Sequence, residues 1–561
     1  MVTRELIDPK SIVVVGGSND ITKPGGKILK NLIDNNYAGK LYVSNRKETE
    51  VQGIKSYQML NELPEVEMAI LAIAAKYTLQ TIEELAYVKN TKAFIIISAG
   101  FSEESEEGKV LEQKIVEVVN SVKGSLIGPN CIGVLTPNHA SVFTEPIPKL
   151  NPKGIDFISG SGATAVFIME SAVPKGLTFN SVFSVGNSAQ MGVEEVLQYM
   201  DETYEPGTSS PVKLLYIETI NKPQKLLTHA SSLIRKGCRI AAIKAGSSAA
   251  GSRAASSHTG ALASSDVAVD ALFRKAGIVR CHGREELIAV ASVFMHPPLK
   301  GKNIAIITHA GGPAVMLTDA LSHGGLKVPH IGGKDADELL EQLFPGSSVA
   351  NPIDFLATGT AEQLGTIIDY VDQKFDDIDG MVVIFGTPGL IKVFDAYDVL
   401  DEKMKTCKKP IFPVLPSILT AKEEVADFLS KGRVNFPDEA ILGEALCRVF
   451  YTAPPAPANT KLPEVDKYRI RKIIDNNGNG YLEPEDVASL LDAAGIDRAG
   501  EAVVDNAEHA VKEATRLGLP VVPTVTRKGA APDRPRHATR GLEHTHPPSP
   551  PPPPAPPPRS P

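Results

Sequence analysis

A single histidine, His258, stands near the end of a stretch of small residues, KAGSSAAGSRAASSHTGALA at residues 244–263. The stretch follows a predicted strand at 240–244 and precedes a predicted helix. Small residues let a loop approach a ligand closely, and an isolated imidazole there could serve as a general base or as a nucleophile that accepts a phosphoryl group. The alternative is an exposed loop histidine without a chemical role.

A nucleophilic imidazole also needs an acceptor that orients its second nitrogen. Glu218 follows the predicted strand 212–216 and is the candidate for that role.

Four loops rich in glycine and serine follow predicted strands and open helices. They contain Gly16-Gly17-Ser18, Ser159-Gly160-Ser161-Gly162-Ala163, Ser184-Val185-Gly186-Asn187-Ser188 and His309-Ala310-Gly311-Gly312-Pro313. Glycine lets the backbone approach a phosphate, and a helix start presents free N–H groups and a positive dipole end. One such loop could be a plain strand-to-helix turn, whereas several at strand ends suggest a phosphate-rich ligand. The first loop lacks the GxGxxG spacing, so it argues only weakly for NAD.

The elements that position these loops are short Val/Ile-rich strands alternating with amphipathic helices. The predicted strands are 11–15, 40–44, 67–73, 93–98, 124–127, 155–159, 181–184, 212–216, 240–244, 303–307, 381–385 and 411–415. Continuous apolar runs separated by helices indicate parallel sheets covered on both faces. The pattern occurs in three successive blocks, which predicts three consecutive doubly wound α/β domains.

The amino-acid composition argues against several classes of protein. The formal net charge is −8, from 58 lysines and arginines against 66 aspartates and glutamates, which argues against nucleic-acid and anionic-membrane partners. The five cysteines form no CxxC pair, so a zinc ribbon or disulfide scaffold is not expected and a reducing compartment fits better. With neither an apolar run of spanning length nor a signal peptide, we expect a soluble cytoplasmic protein.

The end of the chain differs in composition. Residues 547–561, PPSPPPPPAPPPRSP, and the basic stretch before them predict a disordered tail from 523, with an SH3- or WW-type ligand or an out-of-frame end as alternatives. Residues 453–461 are typical of a linker, and 485–493 and 507–517 of short helices, with the start of a strand at 519–522. The stretch DNNGNGYLEPED at 475–486 imitates a calcium loop, although its twelfth position is Asp486 instead of glutamate.

Several motifs together resemble the ADP-forming (NDP-forming) acyl-CoA synthetases, relatives of the succinyl-CoA synthetase α subunit. They are SIVVVGGSND, ISAGF, GPNCIG, SVGNS, SSHTGALASSDVAVDALFRKAGIVR, NPIDFLATGTAE and EPEDVASLLDAAGI, in that order along residues 6–522. The resemblance implies a Rossmann-like CoA-binding domain at 1–140 and a flavodoxin-like domain with a phosphohistidine loop at 150–298. It further implies a second flavodoxin-like domain at 299–452 and a partial ATP-grasp opening at 462–522, before the tail at 523–561. The calcium-loop pattern then becomes the approach to that opening.

The resemblance implies the reaction acyl-CoA + ADP + phosphate ⇌ acid + CoA + ATP, through an acyl phosphate and phospho-His258. Glu218 would orient His258, Ser161 and Gly162 would hold the phosphoryl group, and Asn130 would approach the thioester. The residues implied in holding CoA are Gly16, Gly17, Ser18 and Lys47.

The resemblance implies that the ADP/ATP and Mg²⁺ site would lie on an ATP-grasp domain that is either missing from a truncated fused enzyme or supplied by a separate β subunit, and it implies a homo- or hetero-oligomer. The sequence departs from the family pattern at Gly160, where glutamine is usual, at Thr219, where glycine is usual, and at His309, where asparagine is expected. Alternatives are a catalytically incomplete CoA or acyl-CoA sensor, a truncated fragment, and a protein acyltransferase relative, which would need an appended domain. The acyl group and the choice of ADP or GDP are not determined by the sequence.

Overall fold

The computed structural model describes residues 2–248, 250–251, 253–254, 266–387, 389, 392–457, 465–478, 480, 482–518 and 520–522. His258, the tail at 523–561 and part of the linker at 453–461 lie outside the described residues. The chain divides into two units, Met1–Ala456 and Pro457–Pro561.

The first sheet of the larger unit has seven strands within the described residues. They are β1 (Ser11–Val15), β2 (Lys40–Ser44), β3 (Glu50–Val51), β4 (Ile54–Tyr57), β5 (Met68–Leu71), β6 (Ala93–Ile96) and β7 (Ser125–Ile127). Their order is β3-β4-β2-β1-β5-β6-β7, and only the β3–β4 pair is antiparallel. The parallel strands therefore follow the doubly wound Rossmann order, with the switch point between β1 and β5. Its helices are α1 (Arg4–Ile7), α2 (Pro24–Asp34), α3 (Thr78–Val88) and α4 (Glu106–Ser121), with 3₁₀ turns at Leu60–Glu62 and Ala75–Tyr77.

The second sheet also has seven described strands. They are β8 (Gly133–Thr136), β9 (His139–Val142), β10 (Leu150–Ser159), β11 (Phe179–Ser184), β12 (Val212–Ile217), β13 (Arg239–Lys244) and β14 (Val279–Cys281), in the order β14-β13-β12-β10-β11-β8-β9. The five parallel strands follow the flavodoxin-like order, with the switch point between β10 and β12. The helices are α5 (Gly162–Ala172), α6 (Val193–Glu202), α7 (Pro223–Arg235), α8 (Asp266–Ala276) and α9 (Arg284–Phe294), with a 3₁₀ turn at Val173–Lys175.

The third sheet has four described strands, β15 (Ile304–Thr308), β16 (Ile353–Asp354), β17 (Gly380–Ile384) and β18 (Ile411–Val414). All pairs are parallel in the order β16-β15-β17-β18, which places the switch point between β15 and β17. The helices are α10 (Gly311–His323), α11 (Lys334–Leu340), α12 (Ala361–Gln373), α13 (Phe394–Thr406), α14 (Lys422–Ser430) and α15 (Glu439–Tyr451). The predicted succession of three doubly wound α/β sheets is confirmed.

Apolar clusters join the three sheets within this unit. Strand β10 turns Ile158 toward a cluster that includes Val14 of the first sheet, and turns Phe157 toward a cluster that includes Ile306 of the third. Alternate residues of a strand face opposite sides, so the middle sheet buries both faces. This explains why Ile155, Phe157 and Ile158 are all buried.

Each of the twelve strands predicted up to residue 415 overlaps a strand of the structure, although β10 begins at Leu150, earlier than residue 155. Six further strands of the described residues were not predicted: β3, β4, β8, β9, β14 and β16. The β8–β9 hairpin was not predicted. It pairs antiparallel with β11 of the second sheet, although most of it falls inside the predicted domain 1–140. The domain limits themselves stay predictions.

The smaller unit contains three described helices, α16 (Lys467–Asn476), α17 (Pro484–Ala493) and α18 (Ala507–Leu517), and the latter two match the predicted helices. The sequence analysis predicted the start of a strand at 519–522. Residues 520–522 are not in a strand, so this prediction is wrong for them. The calcium-like stretch is only partly described, and among the described residues no group of three His, Cys, Asp or Glu side chains could hold a metal. Over the same part of the chain, every helix is too short or too polar to cross a membrane.

Candidate functional site

The loop after β1 winds tightly around the start of helix α2. Gly16 has a φ of +85°, and a Cβ at this position would lie 2.5 Å from the carbonyl oxygen of Ala72, which follows β5. A Cβ on Gly25 would overlap the carbonyl oxygen of Gly16. The glycines therefore let the backbone cross the first switch point with no side chain between loop and helix.

Side-chain amides hold this loop by its carbonyl oxygens. The Nδ2 of Asn45 donates to the carbonyl of Gly17 at 2.7 Å, and the Nε2 of Gln52 donates to the carbonyls of Ser18 and Gly26 at 2.7 and 2.8 Å. Carbonyl oxygens repel anions, so tying them to amide donors leaves the positive end of α2 as the dominant charge at the loop.

Cations line the rim beside this loop. Arg46 and Lys76 both lie over the ring of Tyr77, with charge-to-centroid distances of 5.3 and 5.0 Å. Lys47, the predicted phosphate contact, is exposed next to Arg46, and its backbone N–H donates to Asn45 Oδ1 at 2.9 Å. The group suits a ligand with several phosphates.

Asn130 lies where the first and second sheets meet. Its φ is +56°, and its backbone N–H donates at 3.0 Å to the carbonyl of Ser98, which follows β6. Its Nδ2 donates at 3.3 Å to the Oδ1 of Asn187 in the loop after β11. The exposed Asn130 side chain is thus held by both sheets, at their carboxyl edges.

Ser161 and Gly162 open helix α5 beside the same junction. Ser161 caps the helix, because its Oγ accepts from the Thr164 backbone N–H at 3.4 Å and from the Thr164 hydroxyl at 3.0 Å. A Cβ on Gly162 would overlap the Cγ2 of Ile132, two residues after Asn130. The helix start therefore packs directly against the loop that carries Asn130.

Glu218 follows β12 and faces Gly160, which follows β10, so the two residues flank the second switch point. A Cβ on Gly160 would lie 3.5 Å from the Glu218 backbone nitrogen and 3.6 Å from its Cγ. Burial raises the pKa of Tyr216, and the charge of Glu218 raises it further. Burial also lowers the pKa of Lys244 at the end of β13, against the opposing charges of Asp266 and Glu218.

His309 flanks the third switch point. Its Nε2 donates to the carbonyl of Gly386 at 2.7 Å, and its ring stacks on Phe385 with centroids 4.5 Å apart. Burial lowers its pKa, so the ring is neutral near pH 7. The departure from asparagine is therefore accommodated by a stacked, hydrogen-bonded imidazole.

The structure brings Asn130, Ser161, Gly162 and Glu218 to one junction of the first two sheets. Gly16, Gly17 and Ser18 lie along the same carboxyl edge, since the Ile73 side chain lies beside Gly16 and the Ile73 carbonyl accepts from the hydroxyl of Ser98. Lys47 lies on the outer rim, and His258 lies outside the described residues. The sequence analysis noted the loop at 184–188 but gave Asn187 no role, and it missed Glu103 and Glu112, which contact Asn187.

Comparison with known proteins agrees with this arrangement. Residues 10–137 match the family described as CoA binding domain, and residues 152–294 match the succinyl-CoA ligase like flavodoxin domain. The chain is 36% identical over 356 residues to acetate–CoA ligase (ADP-forming) II subunit alpha of Pyrococcus furiosus, covering 63% of this chain and 76% of the relative. It is 29% identical over 538 residues to 4-hydroxybutyrate–CoA ligase (ADP-forming) of Nitrosopumilus maritimus, covering 93% and 75%.

Among solved structures, the dinucleotide forming acetyl-coenzyme A synthetase 1 of Candidatus Korarchaeum cryptofilum, in complex with phosphate and ADP, matches with a TM-score of 0.71. The sequences are 25% identical, and the match covers 80% of this chain and 96% of that one. The matched CoA-binding and ligase-type domains, their order along the chain and these relatives all indicate the same family. The chain belongs to the ADP-forming acyl-CoA synthetases, which are acid–thiol ligases.

Proposed function

We propose that this chain is the core of an ADP-forming acyl-CoA synthetase that catalyses acyl-CoA + ADP + phosphate ⇌ acid + CoA + ATP. The observation that carries the proposal is that the loop of Asn130 packs, through Ile132, on Gly162 at the start of α5, next to Gly160, which faces Glu218. A loop of the CoA-binding part and a helix start suited to phosphate are packed against each other there. Both substrates of the first step can therefore be held side by side.

The residues of the first sheet fit CoA. Gly16, Gly17 and Ser18 would hold its pyrophosphate at the start of α2, because the loop has no side chain in the way and its carbonyls are tied back. Lys47 on the cationic rim would meet the phosphates. The pantetheine chain would run along the carboxyl edge, with its thioester beside Asn130.

The first two steps transfer the acyl group and then the phosphoryl group. A phosphate oxygen attacks the thioester carbonyl, the carbon–sulfur bond breaks, and CoA leaves as its thiolate. Backbone N–H groups at Ser161 and Gly162 hold the phosphoryl oxygens of the acyl phosphate. An imidazole nitrogen of His258 then attacks phosphorus, the carboxylate leaves, and Glu218 accepts the N–H of the second ring nitrogen.

The last step passes the phosphoryl group from phospho-His258 to ADP, whose terminal oxygen attacks phosphorus and frees the imidazole. We place the nucleotide and Mg²⁺ on an ATP-grasp domain, which a partner β subunit would supply. One relative is named as a subunit alpha, and residues 462–522 resemble an ATP-grasp opening. No residue of the described part is assigned to Mg²⁺, because none of its acidic groups forms a ligand set.

The proposal is tested by a half-reaction. Purified protein is incubated with acetyl-CoA and radiolabelled phosphate, and the label bound to the chain is tested for acid lability and alkali stability. We expect label on the wild type, none on His258→Ala, and strongly reduced label on Glu218→Gln. His282→Ala is the matched control, because His282 is an exposed histidine of the same domain.

Different acyl groups are compared in the same assay. The relatives are named for acetate and 4-hydroxybutyrate, so acetyl-CoA and 4-hydroxybutyryl-CoA come first, followed by propionyl-, succinyl- and aryl-acyl-CoA thioesters. A wild type that binds CoA but takes no label from any of them contradicts the proposed catalysis, and the chain would then be a CoA-binding regulatory protein or a fragment.

A further inference from the structure

We infer that Asn187, itself held by Glu103 and Glu112, is a positioning residue that orients Asn130 toward the thioester end of CoA. The inference rests on the proposed function, because it takes Asn130 as the residue beside the thioester. It assigns a role to a loop that the catalytic steps above do not use.

The amide nitrogen of Asn187 is held by acidic groups from the first sheet. Its Nδ2 donates to the Oε1 of Glu112 at 2.7 Å, to the Oε2 of Glu103, and to the hydroxyl of Ser102 at 3.3 Å. Glu112 is buried in helix α4, with a relative exposure of 8%. The contacts span 75 residues or more of sequence, so they exist only because the two sheets meet.

The two carboxylates are themselves held in place. Ser102 donates to Glu112 Oε1 through its hydroxyl at 2.8 Å and its backbone N–H at 3.2 Å, and the Gly100 N–H donates to Glu103 Oε1 at 2.7 Å. Burial opposes ionisation of Glu103, but the Asn187 amide and backbone N–H groups outweigh it and lower the pKa of this carboxyl. Glu103 is therefore charged near neutral pH.

This arrangement determines which end of the Asn187 amide faces Asn130. Turning the amide over would put its oxygen against the carboxylates of Glu103 and Glu112, which costs hydrogen bonds and adds repulsion. With Nδ2 facing the carboxylates, Oδ1 of Asn187 is left to accept from Nδ2 of Asn130. The Asn130 amide is then oriented in turn, and its own oxygen remains available to accept a hydrogen bond from the ligand.

Backbone contacts also hold the loop of Asn187 against the loop of Asn130. The Asn187 N–H donates to the carbonyl of Pro129 at 3.0 Å, and a Cβ on Gly186 would overlap that carbonyl. Gly186 has a φ of +55°, so glycine is favoured there both by conformation and by space. The loop after β11 therefore lies directly against the loop that carries Asn130.

The test measures CoA affinity by calorimetry in Asn187→Ala, Asn130→Ala and the double variant of the full chain. Losing one charge-supported contact is expected to weaken CoA binding about tenfold in each single variant. Because Asn187 acts through Asn130, the two losses of CoA affinity should not add, and the double variant should also bind CoA about tenfold more weakly than the wild type. Asn138→Ala, an exposed amide on the β8–β9 hairpin, is the control and should bind like the wild type.

A second variant separates positioning from a purely structural role. Asn187→Asp places a third carboxylate against Glu103 and Glu112, the charged groups that contact Asn187 in the described part of the chain. Its CoA affinity should be lowest near pH 8 and recover toward pH 5, where a shared proton can restore a donor. Asn187→Ala should lack this recovery, and thermal unfolding checks that each variant is folded.

The outcomes distinguish the two proposals. If the wild type binds CoA but Asn187→Ala binds equally well, or if the two losses add to about a hundredfold in the double variant, the role of Asn187 is refuted and the proposed function stands. If the wild type does not bind CoA, the placement of the ligand is wrong and the role of Asn187 fails with it. If Asn187→Ala does not fold, the pH dependence of Asn187→Asp decides, and an unchanged affinity at both pH values refutes the inference.

Discussion

Single residues decide how closely the two loops at the junction can approach. Gly162→Ala should lower stability by about 1–3 kcal/mol, because the new Cβ overlaps the buried Ile132 side chain. Gly160→Ala is the matched control, since its Cβ would meet its neighbours at 3.5 Å or more and should be accommodated. Urea unfolding of both variants tests this, and equal midpoints would show that the helix start tolerates a side chain.

Buried histidines should make the fold sensitive to acid. Burial lowers the pKa of His296 to about 4, and its Nε2 has no hydrogen-bond partner. The unfolded chain binds this proton near pH 6.5, so the stability that His296 contributes is present above that pH and is lost as the pH falls toward 4. The loss amounts to roughly 2 kcal/mol at pH 5.

His296→Leu should therefore lose less stability than the wild type between pH 7 and pH 5, measured as the shift in urea midpoint. His323→Gln, an exposed histidine on α10, should leave that shift unchanged. His139 behaves like His296, since burial lowers its pKa to about 4 as well. A wild-type midpoint that does not move between the two pH values would contradict the assignment of these rings as neutral.

At the scale of elements, a buried ion pair joins the central strands of the second sheet. Lys213 on β12 donates to Asp156 on β10 at 2.5 Å, and the two side chains are 1% and 5% exposed. The hydroxyl of Ser181 on β11 donates to the same carboxylate at 2.6 Å. Three adjacent strands are therefore tied together across the sheet, three residues before β10 and β11 end at Ser159 and Ser184.

Lys213→Met should cost about 3–5 kcal/mol, because it leaves the buried Asp156 carboxylate without its counter-charge. The double variant Lys213→Met/Asp156→Leu should recover much of that loss, since the unpaired charge is gone. Urea unfolding measures both. A double variant as unstable as the single one would show that packing, and not charge, explains the effect.

At the scale of the whole molecule, the end of the larger unit packs on helix α8. The Ala456 N–H donates to the Lys275 carbonyl at 3.0 Å, and Pro455 occupies the space beside Gly277. A chain stopped after Ala456 should therefore keep the thermal midpoint and CoA affinity of the full chain. A chain stopped after Thr452 should melt lower, by a few degrees, because it lacks these contacts.

Identical midpoints for the two shortened chains would show that residues 453–456 do not stabilise α8. Loss of CoA binding in the chain stopped after Ala456 would contradict the assignment of the CoA site to the larger unit.

The sequence by itself determined twelve of the eighteen described strands, the three doubly wound sheets and the Gly/Ser loops that follow strands. Runs such as Ile12–Val15 indicate buried parallel strands because this information is local. The order of the motifs along the chain is also a property of the sequence, and it indicates the family without any knowledge of the tertiary contacts.

Only the tertiary structure decided which loops face each other. The β8–β9 hairpin joins the second sheet, Ile132 packs against Gly162, and Asn187 reaches Glu103 across 84 residues of sequence. Such contacts depend on sheet order and on how the sheets pack, and hydrophobic periodicity carries no information on either. The residues of the junction could therefore be named from the sequence, but the amide and carboxylate contacts that hold them could not.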